Sequence, residues 1–164
     1  MASNCSGCLV EEDPCLRAGL SVIRQTGKSN TPMSERTRIS IVDDDESCRE
    51  SLHALLKSLD FDVQIFTSAE ELLASQAWLG CACLVVDATL PGVSGPELQA
   101  QLRAENRSVP LIFVTGYDDD ELKKRVLTAG AIDCLCKPYE EEALLSSLEK
   151  ATGVRVAFSP RAAP

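Results

Sequence analysis

The sequence has little aromatic content, a single histidine, an excess of negative over positive charge and no long apolar run. Aromatic residues make up 4% of the 164 residues, and 25 acidic against 16 basic residues give a net charge of −9. This charge argues against direct binding to nucleic acid or to anionic membranes. No apolar run reaches the roughly 20 residues of a transmembrane helix. The N-terminus shows no secretory signal pattern, so we expect a cytoplasmic protein.

Cysteine, by contrast, is abundant, with eight residues. Cys83, Cys134 and Cys136 lie in apolar, strand-like runs, where a buried thiol behaves as a small hydrophobic side chain. Disulfide frameworks are typical of secreted proteins, and without a signal sequence we expect reduced cysteines. The three cysteines within residues 5–15 have no fourth ligand nearby at a suitable spacing, which disfavours a zinc site.

The chain divides into three parts by its hydrophobic pattern. Residues 1–36 show no sustained period and are predicted to form a flexible N-terminal extension. Residues 37–153 carry regular apolar periodicity and are predicted to form one domain, followed by a flexible tail over 154–164. A translation start at Met33 would leave the domain with a short lead-in, which is a hypothesis about the gene.

Within the predicted domain, short apolar runs alternate with segments of helical spacing. Five such βα units predict an α/β fold with a parallel sheet covered by helices on both faces. The fourth helix is predicted over 121–129 and the fifth over 140–151, and Ser68 with Glu71 fits a capping box that opens the second. Four apolar runs lead directly into polar residues, namely 39–42 into Asp43, Asp44 and Asp45, 83–86 into Asp87, 111–114 into Thr115, and 134–136 into Lys137 and Pro138.

These run endings predict a site for a metal ion and a phosphoryl group. Ligands bind at the carboxyl ends of the strands in an open parallel sheet, so Asp43, Asp44, Asp87, Thr115 and Lys137 should converge. Three neighbouring carboxylates stay ionised together only beside a cation, and a hard oxygen site suits Mg²⁺. A carboxylate can also attack phosphorus to give an aspartyl phosphate. Lys137 could neutralise the transferring oxygens, and Thr115 could donate a hydrogen bond to them.

Four motifs occur along the chain in this order: Ile-Val-Asp43-Asp44-Asp45, Val-Val-Asp87-Ala-Thr-Leu-Pro91-Gly-Val-Ser-Gly95, Phe-Val-Thr115-Gly116 and Cys-Lys137-Pro138. In this combination, residues 38–151 resemble the receiver domain of two-component response regulators. Segments 90–95 and 115–117 are most similar to the nitrogen-fixation regulator subfamily. The resemblance implies a flavodoxin-like (βα)5 fold, a doubly wound five-stranded parallel sheet with strand order 2-1-3-4-5.

The resemblance also implies a role for each residue at the acidic end of the sheet. Asp87 would be the phospho-acceptor. Asp44, Asp87 and the backbone carbonyl of Thr89 would bind Mg²⁺, while Asp43 would act mainly through water. Lys137 would pair with Asp87 or with the phosphoryl group.

The same resemblance implies a switch, and the sequence departs from the family there. Thr115 would respond to phosphorylation, and the peptide between Lys137 and Pro138 would be cis. Cys134 stands where the family usually has an aromatic switch residue, so the usual coupling between the threonine and a ring is not expected. Tyr117, like Thr89, offers no carboxylate or amide to orient an attacking water, and we expect slow loss of the phosphoryl group.

These features predict a single-domain response regulator that is phosphorylated on Asp87 by a histidine kinase or phosphotransfer protein in a Mg²⁺-dependent reaction. It would signal to a downstream protein partner, with a homodimer through the fourth helix, fifth strand and fifth helix as one option. We expect that it is not an enzyme and that it catalyses only its own phosphorylation and dephosphorylation. Two alternatives are a phosphatase of the haloacid dehalogenase type, whose D-x-D-x-T motif residues 43–47 fit poorly, and an interaction-only module, against which the intact acidic set argues.

Overall fold

Strands and helices alternate along residues 36–155, the part of the chain that the computed structural model describes. The strands are β1 (Arg38–Val42), β2 (Asp62–Phe66), β3 (Cys83–Asp87), β4 (Leu111–Thr115) and β5 (Asp133–Cys136). The helices are α1 (Glu46–Ser58), α2 (Ala69–Ser75), α3 (Gly95–Ala104), α4 (Asp120–Thr128) and α5 (Glu141–Thr152), with a short 3-10 helix at Ala77–Gly80. Almost all of the predicted extension and tail, with Met33 and the three cysteines of residues 5–15, lies outside the described residues.

The five strands form one parallel sheet in the order β2-β1-β3-β4-β5. This confirms the predicted doubly wound fold and its strand order. The register aligns the strand ends, since Val42 lies opposite Val86, Asp87 opposite Val114, and Thr115 opposite Cys136. The residues that follow β1, β3, β4 and β5 are therefore brought to one edge of the sheet.

Each face of the sheet has its own hydrophobic core, as expected for a parallel sheet covered on both sides. α1 and α5 pack on one face through buried leucines such as Leu56 and Leu144. α2, α3 and α4 pack on the other, where Leu72, Leu98 and Val126 are fully buried. All five residues of β3 and of β4 are buried. These two fully buried strands end in Asp87 and Thr115 at the edge that carries the predicted site.

Local side chains fix where the helices begin and end. Asp45 begins α1 by accepting a hydrogen bond from the Cys48 N–H at 3.0 Å. Asp119 does the same for α4 by accepting from the Glu121 and Leu122 N–H groups, and the acidic first turn of this helix is favoured by the helix dipole. Gly153 ends α5 with a φ of 72°, a conformation that glycine adopts without strain. The last two helices are shifted by one residue from their predicted bounds.

The five cysteines of the described region carry free thiols, namely Cys48, Cys81, Cys83, Cys134 and Cys136. Burial raises the pKa of the Cys83 and Cys134 thiols, as expected for cysteines that act as small hydrophobic side chains. Over residues 36–155, none of the helices has the length and apolar character needed to cross a membrane.

Candidate functional site

Three carboxylates meet at the carboxyl ends of β1 and β3. Asp43 and Asp44 follow β1, and Asp87 is the last residue of β3. One carboxylate oxygen from each lies within 4.8 Å of the others. Asp43 and Asp87 are buried, at 5% and 7% exposure, whereas Asp44 is exposed to solvent. The predicted convergence of the acidic residues is therefore present in the structure.

Lys137 bridges the two buried carboxylates from the end of β5. Its Nζ donates to Asp43 Oδ2 at 2.7 Å and to Asp87 Oδ2 at 2.8 Å. Burial alone would lower the pKa of Lys137, but the hydrogen bonds and charges of Asp43 and Asp87 outweigh it and raise the pKa above its usual value. Lys137 is therefore a permanent cation at neutral pH, placed where negative charge is concentrated.

The other oxygen of Asp87 is held by Thr89. Asp87 Oδ1 accepts from the Thr89 N–H at 2.7 Å and from the Thr89 hydroxyl at 2.8 Å. The loop after β3 begins with these bonds, so the carboxylate is fixed on both sides, by Thr89 and by Lys137. Thr89 thus contacts the site through two donors, and the assignment of its carbonyl as a metal ligand remains a prediction.

Asp43 accepts two further hydrogen bonds, from Asp45 and from Arg49. Its Oδ1 accepts from the Asp45 N–H at 2.9 Å, and its carbonyl accepts from Arg49 Nη1 at 2.7 Å. Sequence reasoning missed Arg49, because a side-chain bond to a backbone carbonyl leaves no pattern in the sequence. Its guanidinium secures the backbone between β1 and α1, which carries two of the three carboxylates.

Thr115 lies at the same edge of the sheet, at the end of β4, and is buried at 4% exposure. Its hydroxyl is engaged locally, accepting from the Tyr117 N–H at 3.2 Å and lying 3.3 Å from the Tyr117 carbonyl oxygen. Its own carbonyl accepts from the Lys137 N–H at 2.7 Å, which ties β4 to the start of the β5–α5 loop. The peptide between Lys137 and Pro138 is cis, as the family resemblance implied.

The donor set fits a hard divalent cation. Asp43, Asp44 and Asp87 offer only oxygen, and their oxygens are close enough to share one ion or the waters around it. The exposed side of the cluster, at Asp44, leaves access for a cation that keeps several waters. The chemistry of these residues is compatible with Mg²⁺, which they would hold together with oxygen from the loop after β3.

Cys134 is buried at 3% exposure, on β5 among the core residues that face α4. Its small thiol packs in the same cluster as Phe113 and Val126. Tyr117, in the loop before α4, is 71% exposed.

Known proteins share this architecture. A family model described as the response regulator receiver domain matches residues 39–149. Nodulation protein W of Bradyrhizobium diazoefficiens is 38% identical over 123 residues, which are 75% of this chain and 54% of that protein. The transcriptional regulatory protein FixJ of the same species is 34% identical over 119 residues, 73% of this chain and 58% of that one. The solved structure entitled FixJ-N matches with a TM-score of 0.65 and 33% identity, over 74% of this chain and 97% of that one. The chain spans about half the length of the curated relatives it matches.

Proposed function

Since the chain belongs to the response regulator receiver domain family of two-component systems, we propose that it accepts a phosphoryl group on Asp87 in a Mg²⁺-dependent reaction. The observation that carries the proposal is the double contact of Lys137 with Asp43 and Asp87, beside a third carboxylate. A buried carboxylate fixed between a lysine and Thr89 is a positioned nucleophile. Stoichiometric labelling, rather than turnover of a phosphate ester, distinguishes this function from a phosphatase.

The proposed reaction needs positioning and positive charge more than covalent help. A carboxylate oxygen of Asp87 attacks phosphorus, the bond from phosphorus to the leaving group breaks, and the leaving group takes the electron pair. The carboxylates and the Thr89 carbonyl would hold Mg²⁺, which would supply positive charge to the phosphoryl oxygens. The Lys137 ammonium exchanges its contact with Asp87 for one with a phosphoryl oxygen, and Asp43 keeps it in place.

The phosphoryl donor in this proposal is a phosphohistidine on a histidine kinase or a phosphotransfer protein. Its leaving group is an imidazole, which leaves as the neutral ring once protonated. The exposed face at Asp44 and Gly116 gives a donor side chain access to Asp87. Thr89 and Tyr117 offer no carboxylate or amide that would orient a water for hydrolysis, so the phosphorylated state is proposed to be long-lived.

The proposed output is contact with a downstream protein or a second copy through α4, β5 and α5. Thr115 connects the site to this surface, because its carbonyl binds the Lys137 N–H and its hydroxyl binds the loop before α4. A phosphoryl group would draw the Thr115 hydroxyl from Tyr117 towards Asp87. Cys134 is too small to transmit that movement as a ring would, so the response of the surface is proposed to be weak.

Intact-mass measurement after incubation with acetyl phosphate tests the proposed function. The wild-type protein should gain one phosphoryl group with Mg²⁺ present and none in excess chelator. Asp87→Asn should gain none, whereas Asp133→Asn, which alters a carboxylate of β5 outside the acidic cluster, should be labelled like the wild type. Labelling of Asp87→Asn at the wild-type level would show that another residue is the acceptor.

A further inference from the structure

The loop between β3 and α3 is anchored at both ends and exposed at its tip. The Ala88 N–H donates to the Val114 carbonyl at 2.9 Å, and the Gly95 N–H donates to the Ala88 carbonyl at 3.3 Å. Leu90 is buried at 5% exposure in the core facing α2 and α3. Pro91 and Gly92 are exposed. This loop carries Thr89, which fixes Asp87, so its conformation bears on the site.

Glu70, in the first turn of α2, contacts the loop tip from outside. Its Oε1 accepts from the Val93 N–H at 2.9 Å, a bond that lowers the pKa of Glu70. Gly92 lies directly against the carboxylate, since a Cβ built on Gly92 would be 2.5 Å from Glu70 Oε1. Gly92 also has a φ of 75°, which favours glycine. The Glu70 carboxylate therefore occupies the space that a side chain at position 92 would need.

The contact links two elements that are far apart in sequence. It runs from α2 to the segment four residues after Thr89, beyond the buried side chain of Leu90. With Leu90 fixed in the core and Val93 fixed by Glu70, the intervening peptides have little freedom to rotate. The peptide that joins Thr89 to Leu90 lies just before this stretch, between the hydrogen bonds of Thr89 to Asp87 and the buried side chain of Leu90, so release of the loop at Val93 would give this peptide more freedom to turn.

We propose that Glu70 is a positioning residue: by holding the β3–α3 loop at Val93 it limits the movement of the Thr89 carbonyl, which is proposed above as a metal ligand, and so sets the affinity for Mg²⁺. The inference rests on the function proposed above. Residues that orient the ligands of a metal typically change its affinity by about 10–100-fold when removed. Because Glu70 is exposed and holds the ligand through the backbone, we expect a smaller change of about threefold to tenfold.

The test is a titration of the full chain with MgCl₂ as the only added ligand. NMR signals of the Thr89 and Val93 amides report the binding. Glu70→Ala should weaken Mg²⁺ binding by about threefold to tenfold, and Glu70→Gln should restore most of it, because the amide oxygen can still accept from Val93. Glu50→Ala, which removes one charge from an exposed position of α1, should bind Mg²⁺ like the wild type. Gly92→Ala should weaken binding in the wild-type background and cost less in the Glu70→Ala background, because the two residues form one contact.

Three results would overturn the inference while leaving the proposed function intact. The first is a Mg²⁺ affinity of Glu70→Ala equal to that of the wild type. The second and third are a loss of Mg²⁺ affinity in Glu50→Ala, or in Glu70→Gln, as large as that in Glu70→Ala, and either would indicate a general effect of charge. Failure of the wild type to bind Mg²⁺, or undiminished binding in Asp44→Asn, would instead overturn the proposed function together with the inference. The melting temperature of Glu70→Ala should stay within a few degrees of the wild type, since the side chain lies outside the core.

Discussion

Replacing Lys137 by methionine should destabilise the protein, because it leaves the buried carboxylates of Asp43 and Asp87 without their counter-charge. The substitution keeps an unbranched side chain but removes the ammonium that lies 2.7 and 2.8 Å from two carboxylates of 7–8% side-chain exposure. Removing one partner of a buried ion pair typically costs about 3–5 kcal/mol, because a charge is left uncompensated. Since 22% of the Lys137 side chain is accessible to solvent, we expect the lower value, about 3 kcal/mol. For a domain of this size, that corresponds to a fall in Tm of roughly 10 °C.

Thermal unfolding with and without Mg²⁺ measures this effect. Mg²⁺ should raise the Tm of Lys137→Met more than that of the wild type, because it replaces the missing cation, and at about 100 times its Kd it stabilises by about 2.7 kcal/mol. Lys150→Met is the matched control, since its Nζ lies 3.7 Å from Asp133 and its side chain is 61% exposed. Such a surface pair contributes little, so its removal should change the Tm by only a few degrees or less. Equal losses in the two variants, or an equal response to Mg²⁺, would refute the assignment of Lys137 as the counter-charge of the cluster.

Three further predictions concern packing, pH and output. Gly95→Ala should lower the free energy of unfolding by about 1–3 kcal/mol, because its Cβ would lie 2.7 Å from the Asp87 carbonyl oxygen and 2.8 Å from Phe113 Cε1, while Gly116→Ala, with open space around it, should be neutral in chemical denaturation. Ser147→Ala should lower the free energy of unfolding by about 1 kcal/mol at neutral pH, because it removes the hydrogen bond from Ser147 to the Asp133 carboxylate. Burial opposes ionisation of Asp133, but the Ser147 hydroxyl and the Cys134 N–H outweigh it and lower the pKa of Asp133. The loss should therefore shrink as the pH falls below 3.8 and Asp133 is protonated, and a loss that is independent of pH would contradict this. Cys134→Phe should strengthen dimerisation on activation in sedimentation with a phosphoryl mimic, and a strongly dimerising wild type with no gain in the variant would show that Cys134 does not limit the switch.

The acidic edge could be predicted because its residues follow buried strands. Asp43, Asp87 and Lys137 each come directly after an apolar run, and in a parallel sheet the ends of such runs meet whatever the details of packing. The order of the strands could not be derived from periodicity, since β1 and β3 are both short apolar runs in the sequence. It came from the family resemblance and is confirmed by the sheet.

Contacts that depend on loop conformation could not be predicted. The capping box expected at Ser68 is displaced, because the Glu71 carboxylate accepts from the Thr67 N–H and hydroxyl while Ser68 caps the Glu71 N–H. The short helix at Ala77–Gly80 lacks a periodic pattern, and it forms where Trp78 is buried against the sheet. The link from Glu70 to Val93 joins residues 23 positions apart through a backbone N–H, which leaves no mark on the sequence.

The identity of the phosphorylated residue is the central claim, and borohydride reduction tests it most directly. Reduction converts an aspartyl phosphate to homoserine, so the modified position can be read by peptide mass spectrometry of the protein treated with phosphodonor and Mg²⁺. Homoserine should appear at position 87 and should be absent at positions 43 and 44, which lie within the same cluster. Homoserine at position 43 or 44, or its appearance at position 87 in excess chelator, would contradict the account.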